Sequence, residues 1–190
     1  DVATLNRKQR ISSDRLPVGM ARHTLNGKPV VLFTTQFKTG RPYCPTTDCS
    51  GKLHVVDVAT LTETETVSAG CCPVRVASSG ERVFITARGE DLVRVLDKSL
   101  KNVVARIPTG PAPVGVALAG NVLVVTASNR FSEDPGFVHF FDATTFKEIA
   151  KLKAQKFPRG VAVAPDGRVA YRAGGASKYQ LEWVDAAGKV

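Results

Sequence analysis

Four cysteines, three histidines and a scatter of arginines are the side chains of this 190-residue chain best suited to chemistry. Cys44 and Cys49 stand in "RPYCPTTDCSG", and Cys71 and Cys72 sit side by side in "AGCCPVRVA". Such a set suits disulfides, a metal site or a redox pair. Four cysteines allow three pairings. A Cys71–Cys72 bond must span Cα atoms only ~3.8 Å apart, less than the ~4.4–6.8 Å usual for disulfides, and would act as a rigid lid over a ligand or cofactor. Bonds between the two segments carry no such strain and would clamp one to the other. A zinc site drawing on His54 has the right residue types but lacks paired C-x-x-C spacing, so no metal is expected.

His54 and His139 occupy matching places, in "KLHVVD" and "FVHFFD", three residues before an aspartate. Matching positions point to a shared packing role, which leaves His23 as the better functional histidine. No serine lies in a G-x-S-x-G turn and no glycine-rich phosphate loop occurs. Glu133 and Asp134 in "RFSEDPG" read as a solvated turn rather than a catalytic pair. A C-x-x-C-H segment is absent, which excludes covalent c-type haem. No catalytic residue and no cofactor can be named from these residues.

The elements that position these side chains announce themselves by repetition. Pro17-Val-Gly-Met-Ala21, Pro73-Val-Arg-Val-Ala77, Pro113-Val-Gly-Val-Ala117 and Pro158-Arg-Gly-Val-Ala162 recur at intervals of 56, 40 and 45 residues. Each leads through a turn into a second apolar run, and a third run then ends on Asp57, Asp97, Asp142 or Asp185. Self-similarity at this period marks a repeat architecture. The runs are short, β-branched and bounded by Gly, Asn, Asp or Pro, and Asn26-Gly27 and Asp166-Gly167 are hairpin pairs. Four antiparallel strands per roughly 43 residues make a β-propeller blade. The repeat aspartates read as structural acceptors for their own turns.

"PRGVAVAPDGRVAY" and "VVDVATL" resemble the repeats of YVTN-type β-propellers over nearly the whole chain. The resemblance implies an all-β propeller of four-stranded antiparallel blades. About four blades lie in this chain, as part of a six- to eight-bladed propeller, seven being usual for the repeat. It divides residues 1–190, a single propeller unit, into an outer or closure strand (1–14), three blades (15–66, 67–107, 108–152) and a blade lacking its outer strand (153–190). Asp1-Val-Ala-Thr-Leu5 repeats Asp57-Val-Ala-Thr-Leu61 residue for residue, so a strand near Arg7–Ile11 is expected to complete either the last blade of a four-bladed ring or a neighbouring blade. Pairing of two chains into an eight-bladed ring is a further option. The polar start and Asp1 suggest a processed or partial product.

On this plan Cys44 and Cys49 fall in the loop between second and third strands, and Cys71 and Cys72 in the connector to the next blade, all at the face that usually carries ligands. Positions that differ between repeats are the binding candidates. Arg75 stands where the other repeats have glycine; Arg88 and Asn129 follow second strands; Arg22, His23 and Arg159 lie near inner strands. Arranged around a channel mouth, such arginines suit a carboxylate, phosphate or sulfated sugar through bidentate contacts.

Composition narrows the class. With 43% hydrophobic and 23% charged residues the chain has an ordinary globular balance, and no run approaches the ~20 apolar residues of a membrane span. The net charge of +9 is scattered and lacks the aromatic-basic interleaving of an RNA-binding sheet, which argues against nucleic acid. Even cysteine number and loop placement suggest a secreted or periplasmic protein. The expected function is a binding scaffold whose loop face recognises a small anionic molecule or a protein or glycan partner. The family resemblance also implies enzymatic alternatives, a lactonase-like hydrolase or isomerase and a quinoprotein-type oxidoreductase, and a Cys71–Cys72 disulfide would favour the latter.

Overall fold

The structure is a computed structural model that describes residues 9–13, 15–38, 49–129, 134–174, 180–185 and 189. Fifteen strands and no helix occur among them. The first sheet holds β1 (Arg15–Leu25), β2 (Lys28–Lys38), β3 (Ser50–Asp57) and β4 (Thr62–Cys71). The second holds β5 (Pro73–Ser78), β6 (Arg82–Ala87), β7 (Leu92–Asp97) and β8 (Val103–Pro108). The third is built from β9 (Pro113–Ala119), β10 (Val122–Ala127), β11 (Phe137–Asp142) and β12 (Glu148–Lys153). Three strands, β13 (Val161–Val163), β14 (Val169–Ala173) and β15 (Gln180–Val184), make the fourth. Within every sheet the strands lie in sequence order and pair antiparallel, as a blade requires. The strand expected near Arg7–Ile11 falls largely outside the described residues, and residues 9–13 form no strand.

The core follows from the two-residue period of a strand, which sends alternate side chains to opposite faces. Val83 and Ile85 of β6 face back onto Leu32 and Val55 of the first sheet. Phe84, between them, faces forward onto Leu123 and Val125 of the third. Val124 then faces forward onto Val169 and Tyr171 of the fourth. Each of the three apolar clusters therefore fills one boundary between consecutive sheets. All eight residues from β6, β10 and the first sheet just named are fully buried, and burial of this size dominates folding at about 25 cal/mol per Å².

Three local devices recur. The aspartate ending each third strand accepts hydrogen bonds from its own turn: Asp57 Oδ1 from the Ala59 and Thr60 amides (2.8 and 3.0 Å), Asp142 Oδ1 from Thr144 and Thr145 (2.9 and 2.6 Å). A residue of the turn adopts positive φ, namely Leu61, Leu100 and Phe146. The connector residue before each of Pro73, Pro113 and Pro158 does the same, as Cys72, Ala112 and Phe157.

The third device joins the blades. Thr34, Thr86 and Thr126 are fully buried, and each accepts the amide of the inner strand beside it: Gly19 (3.1 Å), Arg75 (2.9 Å) and Gly115 (2.9 Å). Each hydroxyl then donates to a carbonyl of the next blade, on its inner strand at Val74 (2.9 Å) and Val114 (3.1 Å) and just before β13 at Arg159 (2.6 Å). The inner strands come so close there that a Cβ on Gly115 would lie 2.2 Å from the Arg159 oxygen. The equivalent Gly160, on the last blade, has open space around it.

The inner strands β1, β5, β9 and β13 follow one another side by side, and among the described residues no comparable contact joins β13 back to β1. The described parts of the four blades form an open arc.

Candidate functional site

The loop-bearing end of the arc is where second strands exit and connectors enter. There the structure ties three segments together. Cys49 and Cys71 form a disulfide with Cα atoms 4.8 Å apart. Cys72 is disulfide-bonded too, while Cys44 lies outside the described residues. Cys71 is thus not bonded to Cys72, and the vicinal lid considered from the sequence is replaced by a clamp between loop and connector. The Cys72 amide donates to the Cys49 carbonyl (2.8 Å), and the Arg88 and Gly89 amides donate to the carbonyls of Cys72 (3.2 Å) and Cys71 (3.0 Å). Glu90 completes the brace: its Oε1 accepts the Cys71 amide at 2.6 Å, and it forms an ion pair with Arg94 at 3.0 Å.

Four of the sequence-proposed ligand residues, Arg75, Arg88, Asn129 and Arg159, lie at this end. Arg75 sits on β5 at the register of Gly19 and Gly115, its amide held by Thr86, and its exposed guanidinium donates to the Val18 carbonyl. That contact uses one of five guanidinium donors. Arg159 is exposed one residue before Gly160, its carbonyl taken by Thr126; β9 lies between it and Arg75. Arg88 is half-buried beside the disulfide clamp. Asn129 adopts positive φ and donates to the Pro135 carbonyl at 3.4 Å, helping to shape the neighbouring loop. Of the acids of the second blade at this end, Glu90 is committed to the brace and Asp91 accepts the Ala112 amide at 2.8 Å.

Arg22 and His23 lie at the opposite end, beside the Asn26-Gly27 hairpin, so they cannot share a site with the other four. His23 is buried and bridges two blades: Nε2–H donates to the Lys98 carbonyl (2.9 Å), and Nδ1 meets the Ser78 hydroxyl (2.8 Å). Both ring nitrogens are engaged in structure. His54 and His139 are buried packing histidines, each stacked on a phenylalanine, Phe33 and Phe141. His54 Nδ1–H reaches Glu63 (2.8 Å) and its Nε2 accepts the Thr35 hydroxyl (2.9 Å). In His139, Nε2 accepts the Gly110 amide (3.3 Å), which fixes the proton on Nδ1, directed at Glu148 (2.6 Å). Burial holds its pKa below the ordinary value, against the opposing pull of Glu148.

The same register position carries Arg94 in the second blade and Glu182 in the fourth, where Glu182 accepts the Tyr171 hydroxyl. Burial, then Glu182, raises the Tyr171 pKa. Each blade therefore places one polar group in its third strand and answers it with a partner. The stitching threonines escaped the sequence reading, although "FTTQ", "ITAR" and "VTASN" repeat them in register and "YRAGG" replaces the last by Arg172. No cluster of three metal-ligating side chains occurs among the described residues, and no helix is long and apolar enough to cross a membrane.

No protein family matches the chain by sequence, and no curated protein does. Solved structures do. Hydrazine synthase from Kuenenia stuttgartiensis superposes with a TM-score of 0.72 at 18% identity, over 97% of this chain and 50% of that one. A chain of the nidogen/laminin complex gives 0.65 at 17% identity, over 92% and 62%. The computationally designed protein Ika4 gives 0.64 at 12% identity, over 91% and 94%. The chain spans about half the length of the hydrazine synthase chain it matches. Likeness at these identities speaks for fold, and with the sheets described above it shows that this chain is built of β-propeller blades, about four of them.

Proposed function

We propose that the protein is a secreted or periplasmic propeller of the YVTN type, with its blades divided as the repeats suggest, that binds an anionic ligand through its loop-bearing face. One observation carries the reading. Two exposed arginines, Arg75 and Arg159, stand at the loop-bearing end of inner strands, where the nearest carboxylates of the second blade are taken up by backbone amides and Arg94. Guanidinium groups left on such a rim favour phosphate, carboxylate or sulfate oxygens. The disulfide clamp holds one side of the face rigid, which lowers the ordering cost of binding, and an internal disulfide fits an oxidising compartment.

The quinoprotein-type alternative loses its supporting feature, because Cys71 pairs with Cys49. The lactonase-like alternative draws on His23 or on an arginine at the channel mouth; the His23 ring nitrogens brace two blades at the other end, which leaves it the arginines alone. Binding is therefore preferred to turnover. Amide chemical-shift mapping with inorganic phosphate and a sulfated oligosaccharide as probes tests the placement. Shifts at Arg75, Arg88 and Arg159 support it; shifts confined to the hairpin end around Arg22 and Asn26 contradict it.

A further inference from the structure

His54 and His139 occupy the same place in two blades and are held almost alike. Each is buried, each stacks on a phenylalanine, and each sets Nδ1 against a glutamate nine residues on, Glu63 at 2.8 Å and Glu148 at 2.6 Å. They differ at Nε2. His54 Nε2 meets the Thr35 hydroxyl at 2.9 Å, a group that donates or accepts as it rotates. His139 Nε2 meets the Gly110 backbone amide at 3.3 Å, which only donates. Protonation therefore leaves His54 a partner after a turn of the hydroxyl. At His139 it sets two N–H donors against each other.

Gly110 lies in the connector from β8 to β9, at the loop-bearing end. Asp91 fastens this connector, its carbonyl accepting the Thr109 amide and hydroxyl (both 3.1 Å) and its Oδ1 the Ala112 amide (2.8 Å). In turn the Pro111 and Ala112 carbonyls accept the Asn129 and Ser128 amides (both 3.0 Å), so the connector seats the start of the loop that follows β10. Around the ring, β12 supplies the charged groups: Glu148 on Nδ1, and Lys151, paired in register with His139, its ammonium 4.1 Å from the Phe137 ring centre. Opposite His139 on β10 stands Val125. Burial first, and then Lys151, hold the imidazole below its ordinary titration range, against the pull of Glu148.

We propose that the 109–112 connector is an acid-sensitive latch: a solvent proton added to His139 Nε2 releases the Gly110 amide and loosens the connector, and with it the start of the loop at Asn129, while the matching His54 site stays closed. The imidazolium keeps its Nδ1–H on Glu148, so the ring stays in place and the connector is the part that yields. The latch does not depend on the ligand proposed above.

Nuclear magnetic resonance of the whole chain from about pH 7.5 to about pH 4.5, across the histidine range, tests it. Ring nitrogen shifts report the protonation of His139 and His54, and amide shifts and exchange protection factors report the connector. In the wild type the Gly110 amide should shift with the His139 midpoint and lose protection at least about tenfold, as a buried donor left without an acceptor does. The Thr109 and Asn129 amides should shift with the same midpoint, and the amides of β10, β11 and β3 should keep their protection. His139→Gln offers an amide oxygen that accepts at every pH in the series, so its Gly110 amide should no longer respond. Gly110 protection unchanged through the His139 titration, protection lost together across β9–β12, or a wild-type response in His139→Gln overturns the proposal. So does a His139 ring that stays neutral to the end of the series. If His139→Gln does not fold, the wild-type titration decides alone.

Discussion

At the scale of single residues, several ionisable side chains hold turns and blades together, and the titration of Asp57, Asp97, Asp142 and His139 should show in stability. Asp97 is held down to about 2, first by the Asn102 side-chain amide and then by Ser99 and turn amides. Its folded pKa lies below its unfolded value of 3.8, so its contribution is present above pH ~3.8 and lost as pH falls toward about 2. Asp57 and Asp142 are lowered by their turn amides, Thr60 and Thr145 foremost, and act in the same direction. His139 is lowered by burial from 6.5, so its contribution is complete above pH ~6.5 and declines below it. Denaturant melts across pH 7 to 2 should show both declines. His139→Gln should flatten the upper one and Asp97→Asn the lower. Thr126 is the stitch to the last blade, and Thr126→Val leaves the Gly115 amide and Arg159 carbonyl without it. A loss of about 1–3 kcal/mol is expected, read as a lowered unfolding midpoint.

At the scale of elements, the blade was legible because its information is local. Proline connectors, hairpin pairs and terminal aspartates repeat at one period, and each has a mechanism that acts within a few residues. The cysteine clamp was legible in outline, since the strain of a vicinal bond favours pairing across segments. The binding candidates were harder to place. Arg75 stands within an inner-strand motif and Arg22 and His23 directly follow one, yet an inner strand has two ends, and the eleven-residue β1 carries His23 to the hairpin end. Strand length in three dimensions decided this, and spacing alone did not reveal it. The stitching threonines were visible as a repeated letter, but their role needs the neighbouring blade. Two element-level outcomes follow. Gly115→Ala sets a methyl against the Arg159 carbonyl and should destabilise by about 1–3 kcal/mol, whereas Gly160→Ala meets open space and should be near neutral. Opening the Cys49–Cys71 clamp with Cys49→Ser releases a 22-residue span and should cost about 3 kcal/mol, measured by denaturant unfolding under oxidising conditions.

At the scale of the whole molecule, the hairpin end of the described blades engages His23 in structure, and the loop-bearing end keeps Arg75 and Arg159 exposed beside a braced frame. The net charge of +9 makes the whole surface attractive to anions, so charge alone would bind them weakly and anywhere. On the proposed reading, affinity is local to Arg75 and Arg159. Isothermal titration of a sulfated oligosaccharide, comparing wild type, Arg75→Ala/Arg159→Ala and the control Arg22→Ala/Lys28→Ala of equal charge, tests it directly. Hydrogen bonds to charged groups contribute about 1.5–3 kcal/mol each, so the loop-face double variant should lose about a hundredfold or more in affinity while the control keeps wild-type binding. Equal losses in both double variants, or no binding by the wild type, would contradict the account.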